Sequence, residues 1–196
     1  MVLRTSEFGL DQPFNVFISH ASEDMNIVDI FAKVLSWNNV NPLVAEYFQE
    51  PGTLLWKEKV KRLINQCHFF VVLYTYNAQN KVKVHQEIGS AGIKDMQIIV
   101  LLEESIDRMA LPGYLEGLEV IENFRTSYPS DGFNNLTHIL LNRWYSNRPA
   151  WLRREVRQFY GCNEAFEKIM FKFDDVSAAW NRYRYDSTAG TWVLIP

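Results

Sequence analysis

The sequence predicts an α/β protein built on a parallel sheet with helices on both faces. Three observations carry this reading. Short apolar runs of strand length alternate with segments of helical periodicity, in the order β-α-β-α-β-α-β-β-α. The run Phe69–Tyr74 is apolar throughout, as a strand covered on both faces must be. The chain has 196 residues, 47% hydrophobic and 22% charged. A chain of that size buries about 70% of its unfolded surface, enough for a two-sided core.

The elements follow in order. Phe14–Ser19 reads as a short strand. Ser22-Glu-Asp-Met suits a helix start, with Ser22 as the cap and two acids in the first turn. Ile27, Ile30, Phe31, Val34 and Leu35 then recur at helical spacing to about Trp37. A second strand is expected through Leu43-Val44-Ala45, followed by the turn-rich Gln49-Glu-Pro-Gly-Thr. Leu55, Lys59, Val60, Leu63 and Ile64 suggest a helix ending near Cys67. After the third strand at 69–75, a helix is expected over about 82–93 and a fourth strand at 98–102. A fifth strand is expected at 118–121 and a helix at 133–145, with Leu136, Ile139, Leu140 and Trp144 inward. This is the pattern of a doubly wound, flavodoxin-like sheet, in which ligands lie outside the carboxyl ends of the strands. The segments at that edge are 19–22, 46–53, 75–83 and 103–106.

Composition is uneven. Residues 144–196 hold 12 of the 28 aromatic residues, four of the six tryptophans among them. That stretch carries 8 Lys/Arg against 6 Asp/Glu, and the net −3 of the whole leaves −5 for residues 1–143. Two short helices are expected at 151–160 and 164–170, then a hairpin pairing 180–185 with 192–195. An aromatic-rich extension over 148–196, part helix and part hairpin, is therefore expected beside a main domain at 13–146. Its aromatic content favours a packed or binding surface, and Arg143, Arg148, Arg153, Arg154 and Arg157 form a basic helix face.

Several chemistries are excluded. The acidic balance argues against a nucleic-acid partner. No apolar run approaches the roughly 20 residues of a membrane span, and no signal-peptide core opens the chain. With Cys67 and Cys162 far apart, these features favour a reducing cytoplasm. There is no P-loop, no GxGxxG and no GxSxG elbow. His20, His68, His85 and His138 are scattered, so no metal site is expected. Gly89 and Gly92 read as close helix–sheet packing.

Three stretches go further. Phe14-Asn-Val-Phe-Ile-Ser-His-Ala-Ser-Glu-Asp24, Glu46-Tyr-Phe-Gln-Glu-Pro-Gly-Thr53 and Val84-His-Gln-Glu-Ile-Gly-Ser-Ala91 resemble, in order and spacing, the Toll/interleukin-1 receptor (TIR) domain family, in the style of its stand-alone bacterial and archaeal members. The resemblance spans about residues 13–146. It implies a five-stranded parallel sheet, and for enzymatic members cleavage of the nicotinamide–ribose bond of NAD in immune or anti-phage signalling. NAD is then a substrate and no cofactor is implied. Glu87 falls at the family's catalytic glutamate. His20, Ala21 and Ser22 match the substrate-contacting loop after the first strand, and Glu46, Tyr47, Glu50 and Gly52 match the loop after the second. That loop, 46–53, also docks neighbouring copies in the family, which implies self-association. The aromatic residue that the family usually carries four positions before the glutamate is Lys83 here. Lys83 is either a phosphate contact or the i−4 ion-pair partner of a surface Glu87.

The chemistry suits one carboxylate. Nicotinamide leaves as a neutral ring, so no acid need protonate it, and a carboxylate facing the oxocarbenium-like ribose suffices. Two other readings stay open: a non-catalytic adaptor that assembles through its loops and meets a partner or effector through 148–196, and a nucleoside glycosidase or transferase of similar fold. Tyr47 reads equally as core packing, and His20 as a solvated loop residue.

Overall fold

Strands of uninterrupted Val, Ile, Leu and Phe need cover on both faces, and the chain supplies it by crossing over with a helix after each one. The computed structural model describes residues 14–38, 40–48, 56–116, 118, 121–146, 169–175, 177, 179–186 and 191–195. Five strands form one parallel sheet: β1 (Phe14–Ser19), β2 (Val40–Leu43), β3 (Phe69–Tyr74), β4 (Ile98–Glu103) and β5 (Ile121–Phe124). Their spatial order is β2-β1-β3-β4-β5, the flavodoxin-like order. The helices are α1 (Met25–Trp37), α2 (Trp56–Gln66), α3 (Val82–Gly92), the single turn α4 (Gly113–Glu116) and α5 (Ser130–Ser146).

Side-chain alternation along the strands divides the core in two. Phe14, Val16 and Ile18 of β1 join Val71, Leu73, Ile99 and Leu101 under α1 and α5. Phe17 joins Phe70, Val72, Val100 and Leu102 under α2 and α3. The period of two then sends Ser19, the last residue of β1, to the α3 side as well. On α3, Val84, Glu87, Ile88 and Ala91 are the buried residues, at i, i+3, i+4 and i+7. Glu87 therefore lies within the apolar stripe, not beside it.

Five expectations need correction. β2 lies at 40–43, because it pairs with β1 from Phe14↔Val40 to Phe17↔Leu43, and Ala45–Tyr47 form a 3-10 turn. β5 lies at 121–124, in register with Val100–Glu103. Ser22 is not the cap of α1: it is the exposed first residue of a 3-10 turn (Ser22–Asp24), and the buried Asp24 holds the cap position. Gly89 and Gly92 are exposed, and a Cβ on either would meet nothing. The close approach is at Gly132, where a Cβ would come within 2.5 Å of the Asn123 carbonyl oxygen. Finally, Ile169 and Met170 belong to a strand, β6 (Ile169–Asp174), rather than to a helix.

β6 pairs antiparallel with β7 (Ala179–Asp186), which pairs with β8 (Thr191–Ile195), giving the expected hairpin a third strand. This small sheet meets the α1 and α5 side of the main one. Trp180 stacks on Trp37 at 4.7 Å, and Ser130 donates its hydroxyl to Asp175 at 2.5 Å. The helices expected at 151–160 and over 164–168 lie outside the described residues, as do Cys162 and all the arginines of the basic face except Arg143. Among the described residues no helix is long and apolar enough to cross a membrane.

Glycine in an exposed helix position costs about 0.5–1 kcal/mol relative to alanine. Gly89→Ala is expected to raise the melting temperature, while Gly132→Ala lowers it because the first turn of α5 must move off β5. Thermal denaturation followed by circular dichroism checks both signs.

Candidate functional site

Four of the residues singled out in the sequence converge at the carboxyl ends of β1 and β2 and on the face of α3 that meets them. Glu87 is only 4% exposed, and its Oε2 accepts a hydrogen bond from Ser19 Oγ at 2.6 Å. Burial, the largest influence, lifts its carboxyl to about 7; the Ser19 hydrogen bond and the Lys83 charge pull the other way, and the Glu46 charge adds to the rise. Near neutral pH both forms of the group are populated.

Glu87 is not a surface partner of Lys83. Lys83 Nζ reaches Glu46 Oε1 at 2.6 Å instead, joining α3 to the 3-10 turn after β2. Burial pushes the Glu46 carboxyl up, but the Lys83 hydrogen bond with the His20 and Lys83 charges outweighs it and holds the group below the usual carboxylate range. His20 is buried at 3% exposure rather than solvated. Its Nδ1 lies 3.1 Å from the Ile18 carbonyl and its Nε2 lies 3.4 Å from Glu46 Oε2.

The remaining expected residues stand apart. Ala21 is buried, and its carbonyl accepts from Asp24 N–H at 2.9 Å. Ser22 is exposed. Tyr47 is 46% exposed, so it is not core packing, and its hydroxyl donates to Asp29. Glu50 and Gly52 lie outside the described residues.

The sequence reading placed segments 19–22, 75–83 and 103–106 at this edge but did not single out the residues in them that fix it. Ser19 is the one, and its signal was available: it is the polar end of an apolar strand. The others form a clamp. Asp24 is buried and accepts from Thr75 Oγ1 at 2.5 Å and from Asn77 Nδ2 at 2.7 Å, tying the loop after β1 to the loop after β3. Thr75 Oγ1 in turn accepts from Ala78 N–H at 3.1 Å, and Glu103 at the end of β4 accepts from Tyr76 N–H at 2.9 Å. Lys81 pairs with Glu23 across the same two loops. Three elements thus hold the rim around Glu87 without contributing to its hydrogen bonding.

A separate cleft of about 190 Å³ lies beyond β5, lined by Glu104, Asn123, Arg125, Tyr128, Asp131 and Asn135 among others. It shares no lining residue with the Glu87 cluster. Among the described residues, no group of three or more His, Cys, Asp or Glu is placed to hold a metal ion.

A buried acid whose folded pKa lies above its unfolded value makes the fold bind more protons than the unfolded chain. Stability then falls as pH rises from about 4.5 toward 7 and stays reduced above it, by on the order of 3 kcal/mol. Glu46 works in the opposite sense, and its contribution is lost only as pH falls through the acid range. Glu87→Gln is therefore expected to gain stability relative to the parent between pH 5 and pH 8, read as a widening difference in melting temperature. A constant difference would contradict the burial of an ionisable group here.

Comparison with known proteins adds the family. A profile described as TIR domain matches residues 16–140. Among solved structures, the TIR domain of the Toll-related receptor TRR-2 from Hydra magnipapillata aligns at 17% identity over 55% of this chain and 82% of its own, with a TM-score of 0.48. The TIR domains of the activated Roq1 resistosome, which recognises the pathogen effector XopQ, align at 15% identity over 52% of this chain and 66% of that one, with a TM-score of 0.44. The Clostridium botulinum CMP N-glycosidase BcmB aligns at 17% identity over 62% of this chain and 96% of its own, with a TM-score of 0.46. No curated protein matches significantly in sequence. The profile covers well over half of the chain, on the strands and helices that build the Glu87 edge, and the chain belongs to the TIR domain family.

Proposed function

We propose that this TIR domain cleaves NAD between nicotinamide and ribose, with Glu87 as the catalytic carboxylate. The observation that carries the reading is the burial of Glu87 against the carboxyl end of β1, with Ser19 on one oxygen. Ser19 fixes Oε2 and leaves Oε1 for the ribose. The scissile bond of NAD joins ribose to a positively charged ring nitrogen, and heterolysis returns the bonding pair to that nitrogen. Positive charge moves onto the ribose, where an ionised carboxylate in a low-dielectric setting stabilises it most. Water captures the ribosyl cation to give ADP-ribose, or an adenine nitrogen captures it to give a cyclic form. Either product suits an immune-type or anti-phage signal made in the cytoplasm, with segment 46–53 joining copies and residues 148–196 meeting an effector or trigger.

One observation also favours a second reading. A carboxyl near 7 is half protonated at neutral pH, and a nucleotide glycosidase acting on a neutral nucleobase needs a proton donor for the leaving group. The two readings demand opposite protonation states.

Purified protein is incubated with NAD or with nucleoside monophosphates, with and without a crowding agent, and the products are separated by chromatography. Nicotinamide release is expected to rise about tenfold per pH unit below 6 and to level off above about 7. Glu87→Ala is expected to lose at least a hundredfold. A rate that falls above 7, with release of nucleobase from monophosphates, would favour the second reading. No nicotinamide release from the parent under any condition would contradict the first.

A further inference from the structure

Glu46 is satisfied on one oxygen only. Oε1 accepts from Lys83 Nζ, whereas Oε2 is shut off from solvent and has no hydrogen-bond partner among the described residues. His20 Nε2 faces Oε2 at 3.4 Å, without hydrogen-bond geometry. A carbonyl only accepts, so His20 Nδ1 must carry its hydrogen toward Ile18. In the neutral ring Nε2 is then a bare lone pair, turned toward a carboxylate oxygen and, at 3.2 Å, toward Met25 Sδ. It becomes a donor only as imidazolium. Glu46 thus spans an ammonium and a latent imidazolium, an arrangement that fits a phosphate oxygen at least as well as a carboxylate. Native proteins seldom leave a buried carboxylate oxygen unmatched. Lys83 lies one helical turn before Glu87 on α3 and holds Glu46, so the group lies beside Glu87.

We propose that Glu46 is an internal counter-anion: without ligand it holds Lys83 and His20 in the place of a phosphoryl group, and a phosphorylated nucleotide binds by taking those two groups from it. The proposal rests on Glu87 marking the ligand site and adds the ligand class, a phosphorylated nucleotide rather than an uncharged nucleoside. It also assigns a consequence to binding. Glu46 lies in the turn Ala45–Tyr47, so the exchange releases that turn from α3 while the Tyr47–Asp29 tie to α1 stays in place.

The test is calorimetric titration of the full chain with pyrophosphate, ADP-ribose and adenosine, for the parent, Glu46→Gln and Lys83→Met. Glu46→Gln removes the competing charge and is expected to tighten pyrophosphate and ADP-ribose about tenfold, leaving adenosine within about twofold. Lys83→Met is expected to weaken both anions at least tenfold. Anion binding that weakens or stays unchanged in Glu46→Gln would overturn the proposal, because Glu46 would then be a ligand contact or a structural tie. Should a variant not fold, nitrogen-15 resonances of the parent decide. Pyrophosphate is expected to shift both His20 Nε2 and Lys83 Nζ, and no shift in either would overturn the proposal. Tightened anion binding in Glu46→Gln without nicotinamide release by the parent would remove the NAD reading and keep the anion site. Nicotinamide release with anion binding indifferent to Glu46 would do the reverse.

Discussion

A carboxyl group sealed against the end of a parallel sheet, with one serine hydroxyl for company, sets the terms for everything around it. Taking a carboxylate out of water is expensive unless it is paired or richly hydrogen-bonded, and among the described residues Glu87 has Ser19 as its one hydrogen-bond donor and no direct cation. The group answers by holding its proton more tightly, to about 7. That position is imposed by two periodicities that meet. The strand period brings Ser19 to the α3 side, and the helix period puts Glu87 in line with Val84, Ile88 and Ala91. Neither residue can turn away without taking core residues with it.

The surroundings are rigid for reasons separate from Glu87. Asp24, Thr75, Asn77 and Glu103 spend their hydrogen bonds on one another and on the loop backbone, so the rim is braced from β1 to β4. The α3 side is different. Lys83, Glu46 and His20 lie in a chain of polar contacts with one oxygen unmatched among the described residues, which makes the turn after β2 the part of the edge where a ligand can gain most by rearranging contacts. Rigidity on one side and an incomplete network on the other are what a site that admits and orients a ligand requires.

The architecture was legible because fully buried parallel strands carry their own signal. Phe69–Tyr74 and Ile98–Glu103 are visible as apolar runs without any partner in view. The edge strands were not. Val40-Asn-Pro-Leu43 is interrupted by Asn41 and Pro42, Ile121-Glu-Asn-Phe124 is half polar, and their neighbours Val44-Ala45 and Leu118 look more strand-like. Pairing with β1 and β4 overrides local preference there. β6 was read partly as a helix end because antiparallel pairing with β7 is a non-local fact. Glu87 was reached through the motif around it, although its i, i+3, i+4, i+7 spacing already marked a core position. Ser19, Asp24 and Thr75 were missed as partners because their bonds span 51 to 68 residues of chain. The ion pair of Lys83 went to Glu46 rather than to Glu87, a contact with the turn after β2 that helix spacing alone does not show.

Glu87 is a buried carboxyl with one hydrogen-bond partner among the described residues and its proton poised near neutral pH. Carbon-13 NMR titration of the Glu87 side-chain carboxyl measures this directly. A midpoint near 7 is expected in the parent and a higher one in Ser19→Ala, because loss of the donor removes support from the ionised form. A midpoint near 4.5, unmoved by the loss of Ser19, would contradict it.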